Sequence, residues 1–206
     1  MDRDLNARWS TGRPHVAAPC SKLGCVVDIE TDRLIMRRWQ ASDLEPFAAL
    51  NADPVVMEHF PAVLTRRESD ALVARIEAGF DERGYGLWAL ETKADATMIG
   101  FCGLELQTFP APFTPAVEVG WRLAHHAWGH GYASEAARAA IAFAFDEVHL
   151  DEVVSMTAVS NVRSQRVMER IGMTRDHGAD FMHPKVPAGS PLRPHVLYRL
   201  HRRDRR

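Results

Sequence analysis

Two periodicities alternate along this chain of 206 residues and predict a mixed α/β fold. Alternating apolar and polar residues predict strands, whereas apolar residues that recur every three or four positions predict helices. Strands are predicted at 31–39, 85–91, 97–106, 116–123, 151–159, 173–182 and 195–200. Helices are predicted at 41–50, 65–84, 132–145 and 161–172. This order predicts a mixed sheet with one clear crossover after the strand at 116–123.

Helix-capping residues mark where the predicted helices begin and end. Ser42 with Glu45, and Thr65 with Glu68, have the spacing of a capping box, in which each residue satisfies a free N–H group of the other. Asn161 or Ser160 is placed to cap the last helix, and Gly172 to end it.

Composition narrows the class of protein. The chain is 46% hydrophobic and 25% charged, which predicts one domain with a sizeable core over 29–206, preceded by an N-terminal extension at 1–28 that lacks periodicity. No stretch predicts a membrane span or a signal peptide, and three cysteines without metal-ligand spacing predict reduced thiols. We therefore expect a cytoplasmic protein without a membrane partner. The net charge of −2 argues against nucleic-acid binding.

A glycine-rich loop enters the third predicted helix. The segment "WGHGYASEA", residues 128–136, places Gly129 and Gly131 directly before the helix. Such a loop presents free backbone N–H groups that attract phosphate, and glycine permits φ > 0 there. A nucleotide triphosphate loop needs Gly-Lys-Ser/Thr, which is missing, and a dinucleotide fingerprint needs a third glycine where Ser134 stands. The sequence therefore predicts another phosphate compound as the ligand.

Four motifs in order carry a resemblance to a known family. They are "ETDRLIMRRW", "VEVGWRL", "WGHGYASEA" and "SNVRSQRVMERIGM", and together they resemble the GNAT N-acetyltransferase superfamily, within it most the ribosomal-protein N-terminal acetyltransferase branch. The resemblance implies an α/β (α+β) GNAT fold with a mixed, mostly antiparallel sheet of six to seven strands, a V-shaped splay between central strands, and about four helices. It also implies direct acetyl transfer from acetyl-CoA to a primary amine, a small molecule or a protein N-terminus, in a ternary complex.

The same resemblance assigns residues to the cosubstrate. The backbone of the glycine loop matches the part that binds the pyrophosphate, and the strand at 119–123 matches the one whose main chain pairs with pantetheine, with a bulge expected at Gly120. The amide of Asn161 matches a residue that reaches the pantetheine. The full predicted cofactor-binding set is Val119, Trp121, Leu123, Gly129, His130, Gly131, Tyr132, Ala133, Ser134 and Asn161.

Catalytic roles are predicted for Glu118 and Ser164. Glu118 is the candidate general base that removes a proton from the amine, and a main-chain N–H near Val119 is the candidate oxyanion donor. Ser164 matches a position near the thioester, where it would steady or protonate the thiolate. Many members carry a tyrosine as general acid where this chain has Met168, so the acid is left open.

Other chemical features have simpler interpretations beside the functional ones. His125, His126 and His130 lack a second ligand cluster, so no metal is predicted. Arg163 and Arg166 either contact the 3′-phosphate of CoA or are solvated, and the solvated interpretation is favoured. Candidates for the walls of an acceptor pocket near the two early helices are Phe109, Phe113, His183 and Tyr198.

Two alternative functions remain open. Met168 at the tyrosine position is compatible with a non-catalytic acyl-CoA binder or sensor. The extension at 1–28 and the basic tail "HRRDRR" are compatible with a module that holds a macromolecular partner. A homodimer is plausible for such a fold. The identity of the amine acceptor is not encoded in any motif.

Overall fold

The strands form one mixed sheet in the computed structural model, which describes residues 28–205. Eight strands follow in the order β1-β2-β3-β4-β5-β6-β9-β7, and β8 pairs with β9 off this path. All neighbours are antiparallel except β5 and β6. The strands are β1 (Ile29–Glu30), β2 (Leu34–Arg37), β3 (Leu87–Thr92), β4 (Met98–Gln107), β5 (Ala116–Leu123), β6 (Glu152–Ala158), β7 (Thr174–Arg175), β8 (Phe181–Met182) and β9 (Pro194–His201).

Four α-helices cover the two faces of the sheet. They are α1 (Leu44–Ala52), α2 (Arg66–Arg83), α3 (Tyr132–Asp146) and α4 (Val162–Arg170). Phe47 of α1 contacts Phe101 of β4, whereas Phe143 of α3 contacts Trp88, which pairs with the next residue of β4. Because successive strand residues point to opposite faces, α1 and α3 lie on opposite sides of the sheet. None of the helices in this range is long and apolar enough to span a bilayer.

The fold class is the predicted one, but the sheet has more strands than the six to seven expected. The extra ones are two-residue segments. Ile29–Glu30 pairs with β2, and the segment predicted as one strand at 173–182 is split into β7 and β8 by a 3₁₀ turn at His177–Ala179. A two-residue strand forms because a neighbouring strand is available to pair with it, and it is too short to have a periodicity of its own. The sequence pattern therefore does not reveal such strands. The extension at 1–28 lies almost wholly outside the described residues.

One of the two predicted capping boxes is confirmed. The Thr65 hydroxyl accepts from Glu68 N at 3.3 Å, and the Glu68 carboxylate accepts from Thr65 N at 2.8 Å. The predicted box of Ser42 with Glu45 is wrong, because a 3₁₀ turn at Ala41–Asp43 precedes α1. There the Asp43 carboxylate accepts from the backbone N–H of Gln40 and also pairs with a buried arginine of β2. A tertiary ion pair therefore selects the start of this helix.

Because only one of the two predicted capping boxes is formed, the two sites should differ in their contribution to stability. Thr65→Ala removes a cap hydrogen bond and is expected to lower the free energy of unfolding by about 1 kcal/mol in urea denaturation. Ser42→Ala is the matched control, since Ser42 is exposed and caps no helix; it should change stability by less than about 0.5 kcal/mol. Equal losses in the two variants would contradict the assignment.

The central parallel pair is splayed. β5 and β6 are joined by a single ladder pair, Glu118 with Val154, whereas β4 and β5 pair continuously over eight positions. The register across Gly103 and Gly120 has no shift, so the bulge expected at Gly120 is absent on the β4 side. The strands therefore part beyond Glu118 through loss of pairing with β6, which opens the V-shaped gap that the fold class implies.

Candidate active site

The loop before α3 has the backbone conformation that phosphate binding needs. Gly129 and Gly131 have φ of 81° and 83°, in the left-handed region, as the sequence predicts. None of the six N–H groups from Gly129 to Ser134 donates to a backbone acceptor or to a side-chain cap within residues 28–205. A Cβ at Gly129 would meet no protein atom within 4 Å. The loop is thus an open nest of N–H donors at a helix N-terminus.

A clamp from the β1–β2 turn holds this loop, and the sequence analysis missed it. Arg33 donates through Nη1 to the carbonyl of His130 at 2.9 Å and through Nε to Glu135 at 2.7 Å. Its guanidinium lies 4.8 Å from the ring centroid of Tyr132. Thr31 donates to Glu135 at 2.6 Å. Because the carbonyl of His130 accepts a hydrogen bond from Arg33, this carbonyl is turned toward the protein. The N–H groups of the loop remain without acceptors within residues 28–205.

Two further observations fit an anionic group beside this loop. Ser134 is buried, and its hydroxyl has no partner within the described part of the chain. Glu135 is the one acidic residue of the first turn of α3, and although its burial raises its pKa, hydrogen bonds from Thr31 and Arg33 lower the pKa below its ordinary value. Its charge is therefore neutralised by the clamp.

An open cavity of about 500 Å³ adjoins these residues, lined by Thr31, Asp32, Arg33, Gly131, Ser134, Glu135, Arg138 and Arg170.

The predicted strand residues Val119, Trp121 and Leu123 direct main-chain groups, not side chains, toward the gap between β5 and β6. Val119 and Leu123 are buried in the core, and Trp121 is partly buried against it. Ala124 N donates to β4, so the alternation of an antiparallel ladder turns the main-chain groups of these three residues toward β6. Beyond the single pair at Glu118, β6 does not pair with them. Trp121 therefore has an N–H and a C=O aimed into the gap, while the Leu123 carbonyl accepts from the Trp128 indole at 2.8 Å.

The start of α4 lies at the other side of the gap. Asn161 caps the helix, with its side-chain oxygen accepting from Ser164 N at 3.1 Å and its Nδ2 donating to Thr157 at 3.0 Å. The second hydrogen on Nδ2 is left for a ligand. Ser164 is partly exposed on the first turn, and Met168 is buried in the core. The tyrosine position of the family thus holds a side chain that packs inside the protein.

Glu118 occupies the face of β5 that is turned toward α1. Gln107 donates to its carboxylate at 2.7 Å. Burial raises the pKa of Glu118 to about 8, the negative charge of Glu105 adds to the rise, and hydrogen bonds from the backbone of Met156 and from Gln107 oppose it. A carboxyl group with a raised pKa at the edge of a cleft is suited to accepting a proton near neutral pH.

Three of the four predicted wall residues come together in an aromatic cluster. Phe109 contacts both Phe113 and His183, Phe181 packs against Phe109 and Phe113, and His195 packs against His183, with ring centroids 4.7–6.0 Å apart. Burial and the neighbouring charges lower the pKa of His183 to about 4, so it is neutral at pH 7. Tyr198 lies elsewhere: it is buried in the sheet, and its hydroxyl donates to Glu169 of α4.

The remaining candidates have ordinary contacts. Arg163 is exposed, lies 4.9 Å from the ring centroid of Trp128, and approaches Glu58 at 4.0 Å. His130 stacks on Tyr132, and His125 contacts Trp128. Within residues 28–205, no cluster of three or more His, Cys, Asp or Glu side chains is arranged to hold a metal ion. Cys102 is a buried free thiol, and burial raises its pKa.

Comparison with known proteins agrees with this geometry. Residues 33–174 match the family model described as "Acetyltransferase (GNAT) domain". The uncharacterized protein YkkB of Bacillus subtilis is 33% identical over 146 residues, which cover 69% of this chain and 83% of that protein. A crystal structure of an acetyltransferase from Agrobacterium tumefaciens superposes with a TM-score of 0.70 at 26% identity, covering 87% of this chain and 96% of the other.

A structure described as a ribosomal L7/L12 alpha-N-protein acetyltransferase in complex with coenzyme A shares the fold. It superposes with a TM-score of 0.67 at 17% identity, covering 85% of this chain and 98% of that one. The family match spans most of the chain and includes the splayed strands, the glycine loop and α4. The chain therefore belongs to the GNAT acetyltransferase family.

Proposed function

We propose that this protein is an acetyl-CoA-dependent N-acetyltransferase that acts on a primary amine by direct transfer in a ternary complex. The observation that carries the proposal is the juxtaposition of the free N–H groups at Gly129–Ser134 with the gap between β5 and β6, next to Glu118. Family membership supports acyl transfer. The placement in the ribosomal-protein branch and in the cytoplasm stays a prediction.

In this proposal, different residues of the chain bind different parts of acetyl-CoA. The N–H groups of the glycine loop and the unpartnered Ser134 hydroxyl bind the pyrophosphate of acetyl-CoA, which suits the positive end of a helix. The main-chain carbonyl of Trp121 and the free hydrogen of Asn161 contact the pantetheine arm. Bound acetyl-CoA supplies the acetyl group in an activated, thioester form.

Proton movement is assigned to Glu118. Its carboxylate takes a proton from the ammonium form of the acceptor, directly or through water, so that a neutral amine is present beside the thioester. The Trp121 N–H, free on the gap side, is the donor positioned to stabilise negative charge on an oxygen there. Because the thioether of Met168 has no proton to donate, protonation of the departing thiolate is assigned to Ser164 or to water.

A thiol-release assay tests the proposal. The full chain with acetyl-CoA and a panel of primary amines is expected to release CoA in proportion to acetylated amine, detected by mass spectrometry, with CoA binding followed by calorimetry. Tight CoA binding without turnover of any amine would instead support a non-catalytic binder. Absence of CoA binding by folded protein would overturn the assignment altogether.

A further inference from the structure

Arg122 is a part-buried cation that has no anionic partner in the described part of the chain. It lies on β5 two residues beyond Gly120, and its Nη1 donates to the neutral side chain of Asn51 at 2.5 Å. Its guanidinium sits 4.0 Å from the ring centroid of Phe60 and 5.5 Å from that of Phe101. Within residues 28–205, no carboxylate forms an ion pair with it. Burial and the nearby charge of Arg75 lower the pKa of Arg122 to about 10, and the negative charge of Glu105, which forms no ion pair with it, opposes this only in part.

The hydrogen-bonding capacity of this guanidinium is mostly unused. Nε is enclosed and has no acceptor. Nη2 makes no hydrogen bond within the described range. A buried charge is costly unless it is paired, and a guanidinium binds carboxylates through parallel N–H groups. Arg122 is therefore set to gain an anionic partner from outside the chain.

Arg122 shares one face of β5 with the candidate base. Glu118, Gly120 and Arg122 alternate with the buried residues of the strand and point toward the α1 side of the sheet. A Cβ at Gly120 would meet no atom within 4 Å, so the floor between the two charged side chains is open. The Cα atoms of Glu118 and Arg122 are about 13 Å apart by the rise of a strand. This arrangement presents the carboxyl group of Glu118, with Glu105 opposite it on β4, at one end of an open surface and the guanidinium of Arg122 at the other.

The segment between α1 and α2 narrows the approach to this floor. Phe60 of that segment covers Arg122, and His59 Nδ1 lies 3.4 Å from Ser160 Oγ just before α4. Glu58 approaches Arg163 of α4. The segment thus reaches across the ends of β5 and β6, which favours a small acceptor over an extended polypeptide.

We propose that the acceptor is a small primary amine that also carries a carboxylate, with its ammonium group at Glu118 and its carboxylate at Arg122. This inference rests on the proposed acetyl transfer and names the substrate class for it. The open span between the two side chains favours compounds in which several bonds separate the amine from the carboxylate.

The test compares matched acceptors on the full chain. The wild type is expected to acetylate γ-aminobutyrate with a kcat/KM on the order of 30-fold higher than butylamine, because one buried charge-assisted contact is gained. Arg122→Met should abolish this ratio by raising KM for γ-aminobutyrate, while turnover of butylamine persists. Arg122→Lys retains the charge but loses the planar fork and should give an intermediate ratio.

Controls separate this inference from folding and from the proposed function. Arg67→Gln removes an exposed arginine of α2 and should keep the wild-type ratio. If Arg122→Met lowers both acceptors equally, Arg122 is a structural residue and the inference is wrong. If the wild type acetylates both amines equally, or prefers a peptide N-terminus, the inference fails while the acetyltransferase assignment stands. Absence of turnover with every amine overturns both.

Discussion

Replacing Glu118 with glutamine is expected to lower kcat/KM by on the order of 10²–10⁴-fold, the range for losing a general base. Glutamine keeps the size and the hydrogen-bonding ability of the side chain but cannot accept the proton of an ammonium group. The affinity for CoA, measured by calorimetry, should stay within about twofold, because the phosphate contacts lie on another part of the site. A variant that retains the wild-type rate would remove Glu118 from the mechanism.

The pH profile gives an independent measure of the same residue. The pKa of Glu118 is raised to about 8, so the group is mostly protonated at pH 7 and becomes a base only as the pH increases. In the wild type, kcat/KM should therefore rise with pH through about 8. Glu118→Gln should lose this inflection and keep only the ionisation of the acceptor amine.

The variant Glu105→Gln tests the electrostatic contribution to the pKa of Glu118. Glu105 pairs with Glu118 across β4 and β5, and its negative charge helps to raise the pKa of Glu118. Removing that charge should move the inflection to lower pH, whereas a structural role for Glu105 would lower the rate without moving it. An inflection that stays near 8 in Glu105→Gln would contradict the electrostatic coupling.

Gly131→Val is expected to weaken CoA binding by on the order of 100-fold or more. Gly131 has φ of 83°, a conformation that costs an L-residue about 1–2 kcal/mol and a β-branched residue more. The loop would relieve this strain by rotating its peptide groups, and the N–H groups would no longer converge. Calorimetry with CoA, and a thermal melt on the same sample, measure binding and folding separately.

Gly84→Val is the matched control for backbone strain. Gly84 has φ of 75° after α2, and a Cβ there would meet no atom within 4 Å, whereas a Cβ at Gly131 would be in ordinary van der Waals contact with Arg33 Nη2 at 3.5 Å. It should lose similar stability and still bind CoA as the wild type does. If both variants bind equally well, the glycine loop does not hold the phosphates, and the assignment of the cosubstrate site falls with it.

Much of the fold could be predicted because its signals are local. The alternation over 116–123 matches β5 residue for residue, and the glycines at 129 and 131 have the left-handed backbone that their position before a helix implies. Asn161 caps α4, since the residues that satisfy a helix end are near neighbours in sequence. Three of the four family motifs lie in these segments.

The rest depends on residues that are distant in sequence. Arg33 reaches Glu135 across 102 positions, and Arg122 reaches Asn51 across 71, so no local pattern reveals either contact. Ser42 lost its predicted capping role because Asp43 is drawn to Arg37 of β2. Tyr198 was expected in the acceptor wall, but the register of β9 turns it against α4.

By itself, the sequence determined the order of strands and helices, the glycine loop and the family, because periodicity and backbone freedom act over a few neighbouring residues. Only the tertiary structure decided that the single pair between β5 and β6 opens a gap, and that burial, modified by Glu105 and Gln107, raises the proton affinity of Glu118. Among the residues that the structure describes, it likewise left Arg122 without an anionic partner. The electrostatic environment and the burial of a site depend on every element that packs around it. They are therefore defined only after the strands have paired in register.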